Sequence, residues 1–180
     1  MEFRSAGAGD AERVAGLHAD SWRRNYRGAF ADAFLDGELV AERVSVWSKR
    51  LIDPGGTATI LAEQDGEFVG FVHVMFDLDP VWGSLVDNLH VVHDRRRGGI
   101  GRQLLGRAAQ AVVDQASGDA MYLWVLEQNV AAQQFYVAVG AECVETAPVA
   151  PPGGDPDRLN GTPNGLRMAW PDAAQLNPAT

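Results

Sequence analysis

Cysteine is nearly absent. The chain has one, Cys143, so no intrachain disulfide can form. That suits a reducing compartment, and the expected location is the cytoplasm. No apolar run approaches the length of a bilayer-spanning helix. The opening residues, MEFRSAGAGDAERVAG, bring acidic groups early and lack the apolar stretch of a secretion signal. Basic residues are scarce, 15 against 24 acidic ones, for a net charge of −9. Neither nucleic acid, whose binding rests on phosphate contacts, nor a membrane is an expected partner. Internal repeats and long charge blocks are also missing. What remains is a chain of 180 residues, 46 % hydrophobic and 22 % charged, enough for one domain with its own core.

The pattern along that chain is mixed. Residues 2–5 suit a short opening strand, and Asp10 can cap a helix that carries Val14, Leu17 and Trp22 on one face. A looser segment, NYRGAFADAFLDG, precedes a second helix, LVAERVSVWSKRLI, which stops at Asp53-Pro54-Gly55-Gly56. Two β-rich runs, TATILAE and FVGFVHVMF, flank Asp65-Gly66, a strong hairpin signal. SLVDNLHVV is a third. Residues 100–116 switch to helical spacing, AMYLWVLE returns to strand, and NVAAQQFYVAVG reads as a compact helix between an Asn cap and Gly140. AECVETA and LRMAW suit two last strands, separated by a Pro/Gly-rich loop over 149–165. The expected fold is a single α/β domain over 1–171, with a mixed, mostly antiparallel twisted sheet of about six to seven strands and about four helices. A frayed tail over 172–180 is expected after it.

Against the acidic background, HDRRRGGIGRQLL places Arg95, Arg96, Arg97 and Arg102 around a glycine-rich turn that opens a helix. A helix N-terminus carries about half a positive charge, so cations are disfavoured there. The conflict is relieved if a phosphate belongs at the turn. Free N–H groups at the helix start point outward, glycines let a ligand approach the backbone, and arginine supplies fork-shaped donors. A solvated loop is the plain alternative. Known nucleotide motifs fit poorly: Leu104 stands where a dinucleotide fingerprint has its third glycine, and no G-K-[ST] is present.

Arg96-Arg97-Gly98-Gly99-Ile100-Gly101, placed after the strand LHVV, resembles the [RQ]-x-x-G-x-[GA] pyrophosphate motif of the GCN5-related N-acetyltransferases, the GNAT family. Asn129-Val-Ala-Ala132-Gln-Gln-Phe135-Tyr136-x-x-x-Gly140 looks like that family's N-x-x-A-x-x-F-Y-x-x-x-G-F helix, with Ala141 replacing the last Phe. Ser21-Trp22 and Tyr26-x-Gly28 are similar to the S-W-x-x-x-Y-x-G of bacterial members. The resemblance runs from about Phe3 to Ala141; the long loop departs from it and leaves the acceptor side open.

This resemblance implies acetyl-CoA as donor and a primary amine of a small molecule, amino acid or peptide as acceptor. It implies that Arg96, Arg97, Gly98, Gly99, Ile100, Gly101 and Arg102 hold the pyrophosphate. The main chain of Leu89, His90 and Val91 would pair with the pantetheine arm. Asn129, Ala132 and Phe135 would line the cofactor, and Tyr136 would be the general acid. A phenol with pKa of about 10 can protonate a thiolate whose acid has a pKa of about 8.5. Asp87 and Glu127 are candidate bases, with His73 and His90 behind them. For each, an ordinary structural role is the stronger expectation. A homodimer is an allowed assembly. No metal is expected, since no zinc spacing appears. Cys143 suits packing in a strand. Trp22, Tyr26, Trp47, Phe76 and Trp82 divide between an acceptor pocket and the core. An acyl-CoA sensor without turnover and an Arg-patch nucleic-acid contact are the competing readings.

Overall fold

The computed structural model describes residues 1–176. Seven strands form one sheet: β1 (Glu2–Ser5), β2 (Thr57–Gln64), β3 (Glu67–Asp79), β4 (Gly83–Val91), β5 (Met121–Leu126), β6 (Glu142–Pro148) and β7 (Asn164–Trp170). Five α-helices accompany them: α1 (Ala11–Asn25), α2 (Asp32–Asp36), α3 (Leu39–Ile52), α4 (Ile100–Gln115) and α5 (Val130–Ala138). The strand order is β1-β2-β3-β4-β5-β7-β6, antiparallel at every step except β4 to β5.

Local chemistry explains most of these elements. Asp65 and Gly66 both take positive φ, 54° and 81°, which gives the β2–β3 hairpin the tight turn that matches strand twist. α4 buries Ile100, Leu104, Leu105, Ala108 and Val112 against Val72, Val74 and Val86 on one face of the sheet. On the other face, Val14 and Leu17 of α1 and Trp47 and Leu51 of α3 close over Leu61 and Phe71. A smaller core joins Phe30, Leu35 and Leu39 to Leu126 at the end of β5.

Four expectations change. The looser segment after α1 contains the short helix α2, seated by buried Leu35. Asp10 stands at the start of α1 but makes no side-chain cap. Its carboxylate instead accepts the Gly7 N–H at 2.8 Å and the guanidinium of Arg4 at 2.8 and 2.9 Å, and pairs with Arg13. Cys143 is exposed on β6 rather than packed. Residues 172–176 are ordered: Asp172 caps a turn of 3₁₀ helix, and buried Ala173 donates its N–H to the Asp119 carbonyl at 2.7 Å. The rest of the expected tail, 177–180, lies outside the described residues.

Candidate active site

β4 and β5 pair at only two positions, Ser84 with Met121 and Leu85 with Tyr122. Just beyond, β4 carries a bulge. Val86 pairs with Val74 and Asn88 with His73, so Asp87 is the extra residue. A bulge bends its strand and sharpens its twist. Past it the two strands part, and a cavity of about 510 Å³ opens in the gap. Leu89, His90 and Val91 line one side, with Trp124 and Val125 opposite. The same β4 residues pair with β3 on their other edge.

The α4 N-terminus closes one end of this cavity. Gly99 takes a left-handed conformation, φ 79°, and leads directly into the helix, which has no side-chain cap and no acidic residue in its first turn. The first intrahelical N–H bond is from Gln103 to the Gly99 carbonyl at 3.1 Å, so the N–H groups of Ile100, Gly101 and Arg102 are left over. Arg97 also has a positive φ, 66°, which is strained for a residue with a Cβ. A Cβ at Gly101 would meet the Phe135 ring at 3.6 Å and Val91 Cγ2 at 3.9 Å, inside the cavity wall. Among the described residues, none of Arg95, Arg96, Arg97 and Arg102 enters an ion pair or a side-chain hydrogen bond. By contrast, Arg4, Arg50 and Arg167 all hold carboxylates. The turn concentrates unspent donors and positive charge at the cavity mouth, the chemistry a pyrophosphate needs.

α5 forms another wall. Asn129 accepts the Ala132 N–H at 3.3 Å and so caps the helix, and Gly140, φ 89°, ends it. Asn129, Ala132, Phe135 and Tyr136 all line the cavity. Tyr136 is half-buried against Phe135 and Trp170, and burial raises its pKa above the usual phenol value, with the nearby Tyr26 phenol adding to the effect. The third wall comes from the end of α1: Ser21, Asn25 and Tyr26.

Of the residues expected from sequence, Gly98 lies on the exposed turn outside the cavity lining; the other cofactor-side residues and Tyr136 meet there. The two candidate bases, Asp87 and Glu127, are not among the residues that line the cavity. Asp87 sits on the bulge, paired with Arg50 at 2.6 Å and bonded by Asn88 at 2.6 Å. Glu127 turns away and accepts from Asn164 at 3.2 Å, lining a separate cavity of about 230 Å³ with Gly28 and Asn160. His73 is buried and bonded to the Thr59 hydroxyl at 2.7 Å. His90 reaches the cavity, and burial, with Arg96 beside it, pushes its pKa down to about 4, so it is neutral near pH 7. Of the aromatics, Trp47 is core, Phe76 packs on the α4 side, and Tyr26 faces the cavity. Trp82 and Trp124 both lie under Arg167. Sequence reasoning missed Gln128. Its amide donates to the carbonyls of Asn25 at 3.3 Å and Arg27 at 2.8 Å, tying the end of α1 to the turn before α5. No local pattern marks that long-range contact.

Residues 19–141 match the model of the acetyltransferase (GNAT) family. The chain belongs to that family. It is an N-acetyltransferase by that membership. It is 27 % identical over 132 residues to the uncharacterized N-acetyltransferase YuaI of Bacillus subtilis, covering 72 % of this chain and 73 % of that protein. Its fold resembles that of the PaiA N-acetyltransferase from Thermoplasma acidophilum, solved with coenzyme A, at a TM-score of 0.71 and 15 % identity over 94 % of this chain and 98 % of that one. It also resembles yncA of Salmonella typhimurium, solved with its cofactor acetyl-CoA, at a TM-score of 0.65 and 16 % identity over 95 % and 93 % of the two chains. Among the described residues no helix is long and apolar enough to cross a membrane, and no cluster of three His, Cys, Asp or Glu is placed to hold a metal ion.

Proposed function

We propose that the protein transfers the acetyl group of acetyl-CoA to a primary amine by direct attack on the thioester. The observation that carries this reading is the unpaired arginine–glycine turn at the mouth of a cavity whose other walls present Tyr136 and the free edge of β4.

The residues fit such a donor. The N–H groups of Ile100, Gly101 and Arg102 and the side chains of Arg96, Arg97 and Arg102 would hold the diphosphate, with Gly98 and Gly99 letting the turn close around it. The outer edge of β4 at Leu89, His90 and Val91 offers main-chain groups to an extended amide-bearing arm, as an added strand would. Ala132 and Phe135 supply the apolar wall, and Asn129 fixes the first turn of that wall. The bound thioester supplies an activated acetyl group with a good leaving group. The C–N bond forms, the C–S bond breaks, and the amine's surplus proton passes to water. Tyr136, kept protonated by burial, gives its proton to the departing sulfur and regains one from solvent. Among the described residues no carboxylate lines the cavity, so the amine gives up its extra proton to water before it attacks.

The test is thiol release from acetyl-CoA across amines, amino acids, polyamines, aminoglycosides and short peptides, with Tyr136→Phe beside the wild type. Release with one acceptor class that falls steeply in the variant supports the reading. Tight coenzyme A binding with no release from any acceptor overturns it in favour of a sensor.

A further inference from the structure

Two phenols face the cavity from different elements. Tyr136 comes from α5 and Tyr26 from the end of α1. Burial raises the pKa of both, Tyr26 to about 12 with the Asp87 charge contributing, so both carry their protons at neutral pH. Among the described residues no hydrogen bond engages either hydroxyl.

The Tyr26 ring is held on several sides. It stacks on Trp22 at 5.5 Å and 26° and meets the edge of Phe30 at 4.9 Å. Its own carbonyl accepts the N–H groups of Ala29 and Phe30, and the Gln128 amide bonds the carbonyls on either side of it. A hydroxyl at the end of so fixed a ring is preorganised. Its neighbours on this wall, Ser21 and Asn25, carry no charge. The lining arginines, Arg95, Arg96, Arg97 and Arg102, come from the turn and the first residues of α4. The cavity therefore joins a cationic, anion-binding turn to an α1 wall whose lining side chains, Ser21, Asn25 and Tyr26, are uncharged.

We propose that Tyr26 is a catalytic residue on the acceptor side, its oxygen accepting a hydrogen bond from the N–H of the attacking primary amine. This rests on the transferase reading above. As the C–N bond forms and the C–S bond breaks, the nitrogen changes from neutral to cationic before losing its proton to water. The N–H···O bond to Tyr26 becomes charge-assisted only at that point, so it favours the transition state over the bound amine.

The chain has three tyrosines, Tyr26, Tyr122 and Tyr136, which makes the test clean. Tyr26→Phe keeps the ring stack and removes one oxygen. With the amine that wild type acetylates, its kcat/KM is expected to fall roughly ten- to a hundredfold, the loss of a hydrogen bond to a charged group. The KM for acetyl-CoA and the melting temperature stay in place. Tyr122→Phe, a buried position outside the cavity, leaves all three unchanged. In 3-fluorotyrosine-labelled protein with coenzyme A bound, adding that amine moves the fluorine resonance of Tyr26 and leaves that of Tyr122. An unchanged kcat/KM in Tyr26→Phe, or an unmoved Tyr26 resonance, overturns the assignment while the transferase stands. Wild type that acetylates no amine overturns both.

Discussion

The Gln128 side-chain amide donates to the carbonyl of Arg27 at 2.8 Å, joining two segments about a hundred residues apart in sequence. The same amide reaches the Asn25 carbonyl, so one side chain brackets Tyr26. From the other side, Asn160 of the long loop donates to the Gly28 carbonyl at 3.1 Å and to Ala29 O at 2.8 Å. The wall that carries Tyr26 is thus fixed by contacts outside α1.

Removing that bracket is expected to affect the amine side first. Gln128→Ala loses hydrogen bonds worth about 1 kcal/mol in stability, or about 2–4 °C of melting temperature for a domain of this size. Its kcat/KM for the amine should fall several-fold while coenzyme A affinity holds, because the α4 turn and the β4 edge are untouched. Calorimetric binding of coenzyme A alongside steady-state kinetics checks the split. Equal losses on both sides would place Gln128 in general stability.

Gly101 separates fold from binding in the opposite sense. It lies in the first turn of α4 without a positive φ, so valine there raises helix propensity by roughly 0.3 kcal/mol. A Cβ makes ordinary contacts with Phe135 and Val91, but the branches of a valine extend beyond it into the cavity. Gly101→Val should fold with an unchanged or higher melting temperature and bind coenzyme A at least about tenfold more weakly. Differential scanning fluorimetry with and without ligand reads both. Gly99→Ala should behave differently, losing stability as well, because its φ is 79°.

Much of this architecture was legible because the signals were local. Asp65-Gly66 marked the hairpin, the apolar stripe of residues 100–113 marked α4, and Asn129 and Gly140 bracketed α5. The arginine–glycine turn was legible for a related reason: four cations at a helix start contradict the dipole, and the contradiction sits in consecutive residues. What escaped was set by distant partners. Asp10 has the residue type of a cap, but Arg4 and Arg13 compete for its oxygens and the helix goes without. Asp87 has the chemistry of a base, but a bulge and Arg50 decide where its carboxylate goes. The insertion of β7 between β5 and β6 follows from pairing along Gly165–Trp170, and strand-like composition says nothing about neighbours. The long loop reads as punctuation by composition, yet Leu159 bridges to Phe30 and Arg158 lies 4.7 Å over the Phe34 ring.

Acid should destabilise the fold earlier than carboxylate titration alone would. His18, His73 and His90 are 2 %, 1 % and 9 % exposed, and burial holds all three neutral, with His73 and His90 pushed down to about 4. Arg43, Arg50 and Arg96 nearby reinforce the shift. In the unfolded chain these rings titrate near 6.5. Between about pH 6.5 and pH 4 the unfolded state therefore binds more protons than the native one, so stability rises with pH across that window. It is complete above the unfolded value and is lost as pH falls toward the folded one. A histidine fully inside the window contributes about 1.4 kcal/mol per pH unit to that slope. Urea unfolding at pH 7.5, 6.0 and 5.0 should show midpoints falling progressively. His73→Gln keeps a hydrogen-bonding group beside Thr59 and removes one titration, so its loss between pH 7.5 and 5.0 should be smaller than that of wild type. An equal loss in both proteins would mean that His73 stays neutral in the unfolded chain as well, or is protonated in the native one.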